Sequence, residues 1–351
     1  MMWIIFQTVT VYFLLVTCSA KNNFPAFLTF ANSLADVGNN NYLPTIVKGN
    51  FYPNGIDFGK PTGRFTNGRT VFDILQQEMG FKNFTPPYLA PTTVGDMLLQ
   101  GVNYASSASG ISNSTETFYG TLLNFDTQIS YHGRTAIAIM SRIGIPAAQK
   151  LLSRAIYAIA IGSNDIMYSE TSSMSEEDYF DFLISRLKLG LKTLHSLDAR
   201  KIVVANAGLI VCIPYEKDIH PVPKGSCVRI LNRTAQRYNA KLKGLLVELN
   251  KNLKGAKFIY ADIYQMLEDL SNNYVSYGFE NGVSACCSVA GPQGGLIPCT
   301  FLSKICPDRS KYLFWDPFHL TEAGNLIAAR HMMDGNSTYM SPMNIRQLLQ
   351  V

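Results

Sequence analysis

The chain has 351 residues, of which 47% are apolar and 16% are charged, and this composition excludes an intrinsically disordered protein. The net charge of +5 is small, and no run of Lys and Arg forms a basic stripe, so we expect no nucleic-acid partner. An α/β chain of this length can form one domain. We predict a single domain over residues 21–351.

Residues 1–20 have the features of a secretory signal peptide. Residues 3–17 are apolar or neutral, and the small residues 18–20 (CSA) suit a signal peptidase. The alternative is a membrane anchor, but this run is short for a span, so cleavage after Ala20 is favoured. No other stretch is long enough to cross a membrane. We therefore predict a secreted, extracellular protein, located in the apoplast or cell wall if the source is a plant.

Short apolar runs alternate with amphipathic stretches along the rest of the chain. The runs predict strands beginning at Phe27 and over residues 101–105, 155–161, 201–205 and 257–262. The amphipathic stretches predict helices over residues 70–79, 133–153 (interrupted at Pro146), 175–197, 228–253 and 321–333. Residues 39–69 are expected to form a surface loop, and residues 281–310 an irregular segment. This order predicts a three-layer α/β/α fold with a mainly parallel five-stranded sheet.

Removal of the signal peptide leaves six cysteines, which are Cys212, Cys227, Cys286, Cys287, Cys299 and Cys306. An even number in a secreted chain indicates disulfides, and fifteen pairings are open. Zinc binding is the alternative, but no Cys-x-x-Cys pair or nearby histidine supports it. Glycosylation sequons begin at Asn83, Asn113, Asn232 and Asn336, which also agrees with secretion.

Three of the predicted strands lead into small or polar residues that suit a catalytic site. Ser33 follows the first strand, Gly110 the second and Asn164 the third. Loops at the carboxyl ends of parallel strands meet at one edge of the sheet. Ser33 is therefore the candidate nucleophile. The backbone N–H groups of Ser33 and Gly110, with the Asn164 amide, are the candidate donors of an oxyanion hole.

Residues 315–319 (WDPFH) supply the candidate base. Asp316 and His319 lie three apart around a proline, so the carboxylate can orient the imidazole while the other ring nitrogen takes the proton of Ser33. A competing base is His220, with Asp218 two residues before it, but it lies in a Pro-rich loop that does not directly follow a strand.

Each candidate also has a purely structural interpretation. Asp316 could cap the last helix, His319 could be a surface histidine, Asn164 a turn residue, and Gly110 a residue with positive φ. Their order after successive strands favours a catalytic site over these readings. The sequence lacks the G-x-S-x-G, G-x-G-x-x-G and H-E-x-x-H patterns, so we expect no nucleotide cofactor and no metal.

Several blocks together resemble the plant GDSL esterase/lipases, within the SGNH hydrolases. The blocks are residues 30–41 (FANSLADVGNNN), 61–69 (PTGRFTNGR), 101–110 (GVNYASSASG), 162–165 (GSND) and 312–322 (YLFWDPFHLTE), and the cysteine segment matches too. The resemblance implies a flavodoxin-like α/β/α fold and hydrolysis of small-molecule or lipid esters without a metal. It implies Ser33 as nucleophile, Gly110 and Asn164 as oxyanion donors, and Asp316 with His319 as the acid–base pair. We also expect a monomer.

The chain departs from the family pattern at three positions. The family's Gly-Asp-Ser-Leu is Ala31-Asn32-Ser33-Leu34 here, and Leu320 stands where proline commonly follows the histidine. Alanine adds a Cβ where glycine allows unusual φ angles, and Asn32 removes a carboxylate beside the nucleophile. Two alternatives to an esterase follow: a catalytically impaired binding protein, and an acyltransferase that uses the same acyl-enzyme.

Overall fold

The computed structural model describes residues 26–115, 117–167, 169, 173–208, 210–220 and 229–351. The predicted signal peptide and Cys227 lie outside these residues. The described strands are β1 (Phe27–Ala31), β2 (Ile156–Ala160), β3 (Lys201–Ala205), β4 (Lys257–Ala261), β5 (Asn281–Ala285), β6 (Cys287–Ser288), β7 (Lys304–Ile305), β8 (Tyr312–Phe314) and β9 (Met340–Ser341). The described helices are α1 (Val71–Glu78), α2 (Phe125–Ile143), α3 (Ile145–Arg154), α4 (Ser163–Met167), α5 (Glu176–Ser196), α6 (Pro214–Ile219), α7 (Arg229–Asn252), α8 (Ile263–Asn272), α9 (Glu322–Asp334) and α10 (Ile345–Leu348).

The central sheet has five strands in the order β1-β2-β3-β4-β9. The first four are parallel and β9 is antiparallel to β4. One face packs on α2, α3, α5 and α7 through a large apolar cluster, and the other face packs on α1, α9 and α10. The predicted three-layer α/β/α fold with a mainly parallel five-stranded sheet is therefore confirmed.

All four parallel strands end in alanine, and these residues form a row across the carboxyl edge of the sheet. Ala31 pairs with Ala160, and Ala205 pairs with Ala261. Ala160 and Ala205 are neighbours because the residues before them, on β2 and β3, are paired. All four side chains belong to the apolar cluster on the α1 and α9 face. The strand ends therefore present only methyl groups to the helices there.

The prediction of a strand over residues 101–105 is wrong. The segment runs beside β1, and the Thr29 N–H donates to the Val102 carbonyl at 3.1 Å, but only Asn103 forms an isolated bridge. Hydrogen bonds to β1 continue past Asn103, because the N–H groups of Tyr104 and Ser106 donate to the carbonyls of Thr29 and Ala31 at 2.8 and 3.0 Å. The segment therefore lies beside β1 without forming a regular strand of its own. The fifth strand is instead β9.

The predicted helix over residues 133–153 is two helices, α2 and α3. They meet at Gly144, whose φ is 82°, a value that glycine adopts without strain. Pro146 lies in the first turn of α3, where the missing N–H costs nothing. The predicted interruption therefore occurs at Gly144, two residues before Pro146, and α2 begins earlier than predicted, at Phe125.

The irregular segment contains the short strands β5, β6 and β7 and two disulfides. Cys286 is bonded to Cys306, and Cys287 is bonded to Cys299. The prediction that the cysteines form disulfides is confirmed for these two pairs.

Candidate active site

Ser33 lies in the first turn after β1, at the carboxyl edge of the sheet. The turn is closed by the carbonyl of Asn32, which accepts the N–H groups of Ala35 at 3.2 Å and Asp36 at 3.1 Å. The Ser33 side chain is partly exposed, whereas Asn32 is buried. The serine hydroxyl therefore projects from a fixed turn.

His319 and Asp316 lie beside this serine. The Nε2 atom of His319 is 2.8 Å from the Ser33 Oγ, and Nδ1 is 2.8 Å from each carboxylate oxygen of Asp316. Asp316 is 3% exposed and His319 is 7% exposed, so bulk water competes little for these hydrogen bonds. With the Nδ1 proton donated to Asp316, the Nε2 lone pair faces the serine hydroxyl.

The turn that carries Asp316 is fixed by backbone hydrogen bonds. Asp316 Oδ1 accepts the N–H groups of Phe318 and His319, each at 2.8 Å. The N–H of Trp315 donates to the His319 carbonyl at 2.7 Å. The spacing of three residues predicted from the sequence therefore forms one compact turn, which aims the imidazole at Ser33.

Residues 64–70 support the histidine from the side. The Phe65 ring lies 5.4 Å from the His319 ring, centroid to centroid. The Thr66 hydroxyl donates to the Leu320 carbonyl at 3.0 Å. This segment overlaps the family block at residues 61–69, and it holds the loop after the candidate base.

The same segment is anchored by a buried ion pair. Arg64 binds Asp73 with both ends of its guanidinium, at 2.7 Å to each carboxylate oxygen. Asp73 also forms a capping box with Thr70 at the start of α1. The loop and the helix are therefore joined at one carboxylate.

The structure does not place Gly110 where the sequence analysis expected it. Its N–H donates to Asn124 Oδ1 at 3.2 Å, and Gly110 does not line the cavity around Ser33. A Cβ at this position would lie 2.6 Å from the carboxylate oxygens of Asp165. Glycine is required there for close packing, and its N–H is already engaged.

Ala108, two residues before Gly110, lies closer to the candidate nucleophile. It lines the cavity around Ser33, and no described residue accepts its N–H or the N–H of Ser33. Its φ is 65°, a left-handed conformation that alanine rarely adopts. Sequence reasoning missed this residue, and the signal was its position within the run of small residues 105–110.

Asn164 is the second residue of the short helix α4, after β2, and lines the same cavity. One N–H of its amide donates to the Ser109 carbonyl at 2.9 Å. A primary amide has two N–H donors, so the second remains available to a bound group. The amide also ties the β2 loop to the loop that carries Ala108.

Two buried carboxylates that sequence reasoning missed hold these loops. Asp36 accepts the N–H groups of Gly38 and Asn39, both at 2.8 Å, and the N–H and hydroxyl of Ser107 at 3.0 and 2.9 Å. Burial raises the pKa of Asp36 above its usual value, against the effect of these donors. Asp36 therefore joins the nucleophile turn to the Ala108 loop.

Asp165 does the same for the segment that follows Gly110. Its two oxygens accept the N–H groups of Ile111 and Ser112, each at 2.9 Å, and the Thr115 hydroxyl at 2.6 Å. Burial is also the main cause that raises the pKa of Asp165. The signal for both carboxylates was an aspartate close to a candidate site residue in the sequence.

A cavity of about 440 Å³ opens at Ser33 and His319. This volume is within the range of about 300–1,000 Å³ that is usual for small-molecule sites. Its wall is mostly apolar, and it includes residues from α1, α8 and α9 and from the ends of β2 and β3. The exposed side chain of Ile46 and the residues around Thr300 lie at its outer part.

The departures at Ala31 and Asn32 preserve the local geometry. Among the described non-glycine residues, positive φ values occur only at Ala108 and Asp198, so the backbone of Ala31 does not require glycine. Asn32 Oδ1 accepts the Leu34 N–H at 3.1 Å, an acceptor role that the amide shares with a carboxylate.

The competing base His220 is exposed and its ring lies 3.4 Å from Glu216. Asp218 does not orient it, because that carboxylate accepts the N–H groups of Gln293 and Gly295 at 2.9 and 2.7 Å. The histidine in contact with Ser33 is therefore His319.

Of the candidate glycosylation sites, Asn83, Asn113 and Asn336 are exposed. Asn232 is half-buried on α7, and its side chain accepts the Tyr264 hydroxyl. Within the described part of the chain, no helix has both the length and the apolar character of a bilayer span.

The chain matches the family model described as GDSL-like lipase/acylhydrolase over residues 32–332. It is 48% identical to GDSL esterase/lipase At4g16230 of Arabidopsis thaliana, over 97% of this chain and 95% of that protein. It is 41% identical to GDSL esterase/lipase At2g23540, also of Arabidopsis thaliana, over 92% of this chain and 87% of that protein. The chain therefore belongs to the GDSL esterase/lipase family and is a carboxylic ester hydrolase.

Proposed function

We propose that the protein hydrolyses carboxylic esters through an acyl-enzyme on Ser33. The observation that carries the proposal is the distance of 2.8 Å between Ser33 Oγ and His319 Nε2, with Asp316 on the other ring nitrogen. His319 takes the hydroxyl proton as Ser33 attacks the ester carbonyl, and then gives it to the departing alcohol. Water, activated by the same histidine, releases the acid and restores the serine.

The oxyanion is stabilised by the N–H groups of Ser33 and Ala108 and by the second N–H of the Asn164 amide. All three residues line the cavity. Donors fixed before the reaction stabilise the developing charge without reorganising during it. Gly110 is not among them because Asn124 accepts its N–H.

The impaired alternative rested on Ala31 and Asn32, and the local geometry gives it no support. Ala31 ends β1 in pairing with Ala160, and its N–H and carbonyl are both bound by the Gln128 amide at 2.9 Å. Asn32 accepts a backbone N–H within the turn. Neither substitution displaces the serine from the histidine.

We further propose that the chain is exported, with residues 1–20 removed. The disulfides Cys286–Cys306 and Cys287–Cys299 support this proposal, because such bonds persist in oxidising compartments. Sequencing of the N-terminus of the mature protein tests it, and a chain that begins at Met1 would overturn it.

The test of catalysis is hydrolysis of p-nitrophenyl esters by the wild-type protein and by Ser33→Ala, with the free acid measured as product. We expect turnover that the substitution abolishes, and a fluorophosphonate adduct at Ser33 in the wild type only. Undiminished hydrolysis by a folded Ser33→Ala protein would overturn the proposal. Ser163→Ala is the matched control, because Ser163 lines the cavity but has no role in the mechanism.

A further inference from the structure

The inner part of the cavity wall is formed by buried apolar side chains. Ala160 and Ala205, from the alanine row at the sheet edge, face side chains of α1, α8 and α9. The exposed fractions of the inner residues are all below a tenth, and these residues are Phe72, Ala160, Ala205, Met266, Ala328 and Met332. None of these six has a polar group on its side chain. Three buried asparagines also line the cavity, Asn54, Asn206 and Asn325, and the amide of each is hydrogen-bonded to another protein group. This part of the cavity therefore suits a hydrocarbon better than a sugar or a peptide.

The size of the inner part depends on the alanine row. In the layer below the row, the larger side chains of Val203 on β3 and Ile259 on β4 fill the space between the sheet and the helices on this face, whereas β2 has a second alanine there, Ala158. At the edge, methyl groups leave that space open beside Ser33. A cavity of about 150 Å³ holds a benzene molecule. The whole cavity, its inner and outer parts together, is about 440 Å³, so it has room for roughly three such six-carbon units.

The order of the chemical steps decides which part of the ester enters the inner part. The alcohol leaves when the acyl-enzyme forms, while the acyl group stays attached to Ser33 until water arrives. A departing alcohol therefore needs the open side of the cavity, where Ile46 is 77% exposed and where the polar Thr300 lies. The acyl group is the part that can remain in an enclosed apolar space.

We propose that the alanine row is the floor of an acyl-chain site, that the substrates are fatty acyl esters, and that Ala160 and Ala205 set the acyl length. The proposal rests on the proposed function and adds the substrate class of the same site. Each methylene that enters the apolar site raises kcat/KM roughly fourfold, until the cavity is filled. We therefore expect kcat/KM to rise from acetate through decanoate.

The alanine row supplies a matched pair of variants. Ala205 lines the cavity, whereas Ala261, its partner in the row, is buried in the sheet but does not line it. Ala205→Val adds two carbons inside the acyl site, and Ala261→Val adds the same two carbons elsewhere. We expect Ala205→Val to lower the ratio of kcat/KM for decanoate to that for acetate by roughly fifteenfold, since two methylenes lose their place. Ala261→Val should keep the wild-type ratio.

A second series separates the acyl group from the alcohol. The substrates are acetate esters of straight-chain alcohols of graded length. Their hydrolysis by the wild type and by the same two variants is measured as release of acid. The proposal expects no effect of Ala205→Val on the dependence on alcohol length. If the variant shifts the alcohol series and not the acyl series, the inner part binds the leaving group and the assignment is overturned.

A binding measurement makes the inference independent of turnover. In the Ser33→Ala background, the fluorescent fatty acid cis-parinaric acid is titrated into the proteins with and without Ala205→Val or Ala261→Val. Weaker binding only with Ala205→Val supports the acyl site.

If acetate is hydrolysed through Ser33 but neither the ester ratio nor probe binding responds to Ala205→Val, the inference fails while the proposed function stands. If Ser33→Ala retains full ester hydrolysis, the proposed function fails. The binding result alone then shows whether the inner part of the cavity binds a fatty acyl chain.

Discussion

Ala108 is the residue at which the chain accepts backbone strain beside its nucleophile. An L-residue with a Cβ at φ 65° costs roughly 1–2 kcal/mol compared with the right-handed region. We expect Ala108→Gly to raise the free energy of unfolding by roughly 0.5–1 kcal/mol, because glycine adopts this conformation readily. The N–H that we assign to the oxyanion hole is kept, so ester hydrolysis should persist.

Urea denaturation measures this change, and Ala105→Gly is its control. Ala105 is buried in the same loop without a positive φ, so glycine there should lower the free energy of unfolding. Equal destabilisation by both substitutions would contradict the assignment of strain to Ala108.

Asn164 is expected to act in the transition state. Asn164→Ala removes the amide donor, and loss of one oxyanion donor typically lowers kcat by about 10²–10³-fold. The KM should change little, because the oxyanion forms only as the reaction proceeds. Steady-state kinetics with p-nitrophenyl acetate measure the split, and a raised KM with an unchanged kcat would assign Asn164 to substrate binding instead.

At the scale of elements, the joint between loop 64–70 and α1 depends on an ion pair whose side chains are 6% and 1% exposed. Arg64 is also stacked on the Phe58 ring at 4.6 Å. Lysine cannot bind both oxygens of Asp73, so we expect Arg64→Lys to lower the free energy of unfolding by about 1–3 kcal/mol.

The chain offers a matched exposed pair for comparison. Arg346 binds Asp334 with both ends of its guanidinium, but their side chains are 48% and 53% exposed. We expect Arg346→Lys to change the free energy of unfolding by less than about 0.5 kcal/mol, because water screens this pair. Similar effects of the two substitutions in urea denaturation would show that burial does not distinguish the pairs.

The elements that the sequence predicts well are those with long, uniform patterns. The strand over residues 201–205 and the helix now assigned as α7 agree with the prediction within one residue at each end. Strand β9 could not be predicted, because two residues are too short to show a period. Residues 101–105 look like a strand and are hydrogen-bonded to β1, but they form only the isolated bridge at Asn103.

In the candidate site, too, local patterns could be predicted from the sequence and long-range contacts could not. Ser33, Asp316 and His319 lie close together as the sequence analysis expected, because strand ends and a turn of three residues are local patterns. The sequence did not show that the Gly110 N–H is already bound, because its partner Asn124 is fourteen residues away. For the same reason it did not point to Ala108, the donor that we propose instead. Hydrogen bonds between residues far apart in the sequence determine which backbone N–H groups stay free at the site.

On the scale of the whole molecule, stability should depend on pH through a histidine remote from catalysis. His132 is fully buried among the rings of Phe30, Tyr104 and Tyr157, and burial lowers its pKa from 6.5 to about 3. The folded protein holds this ring neutral, while the unfolded chain protonates it below pH 6.5. The contribution is therefore complete above pH 6.5 and is lost as the pH falls toward 3.

His132→Phe tests this dependence. The wild type should lose roughly 3 kcal/mol through this group between pH 7 and pH 4, and the variant should lose that much less over the same range. Urea denaturation at the two pH values gives the difference. A variant with the same loss as the wild type would show that other groups account for the acid sensitivity.

The two disulfides offer a further comparison. Cys299 lines the cavity with its neighbours Pro298 and Thr300, whereas Cys286 and Cys306 do not line it. Replacement of either pair by serines should lower the free energy of unfolding by about 2–4 kcal/mol. Loss of Cys287–Cys299 should also raise the KM for esters, and loss of Cys286–Cys306 should not. Steady-state kinetics at a temperature where both variants are folded decide the point.

Because Cys299 lies in the cavity wall, the redox state of the Cys287–Cys299 disulfide should affect how well the protein binds esters. A copy held among reducing thiols would carry Ser33 and His319 but not a closed wall around the ester. The same copy, once oxidised, would acquire the complete pocket. We therefore expect the reduced form to have a raised KM for esters, and oxidation to restore the wild-type value.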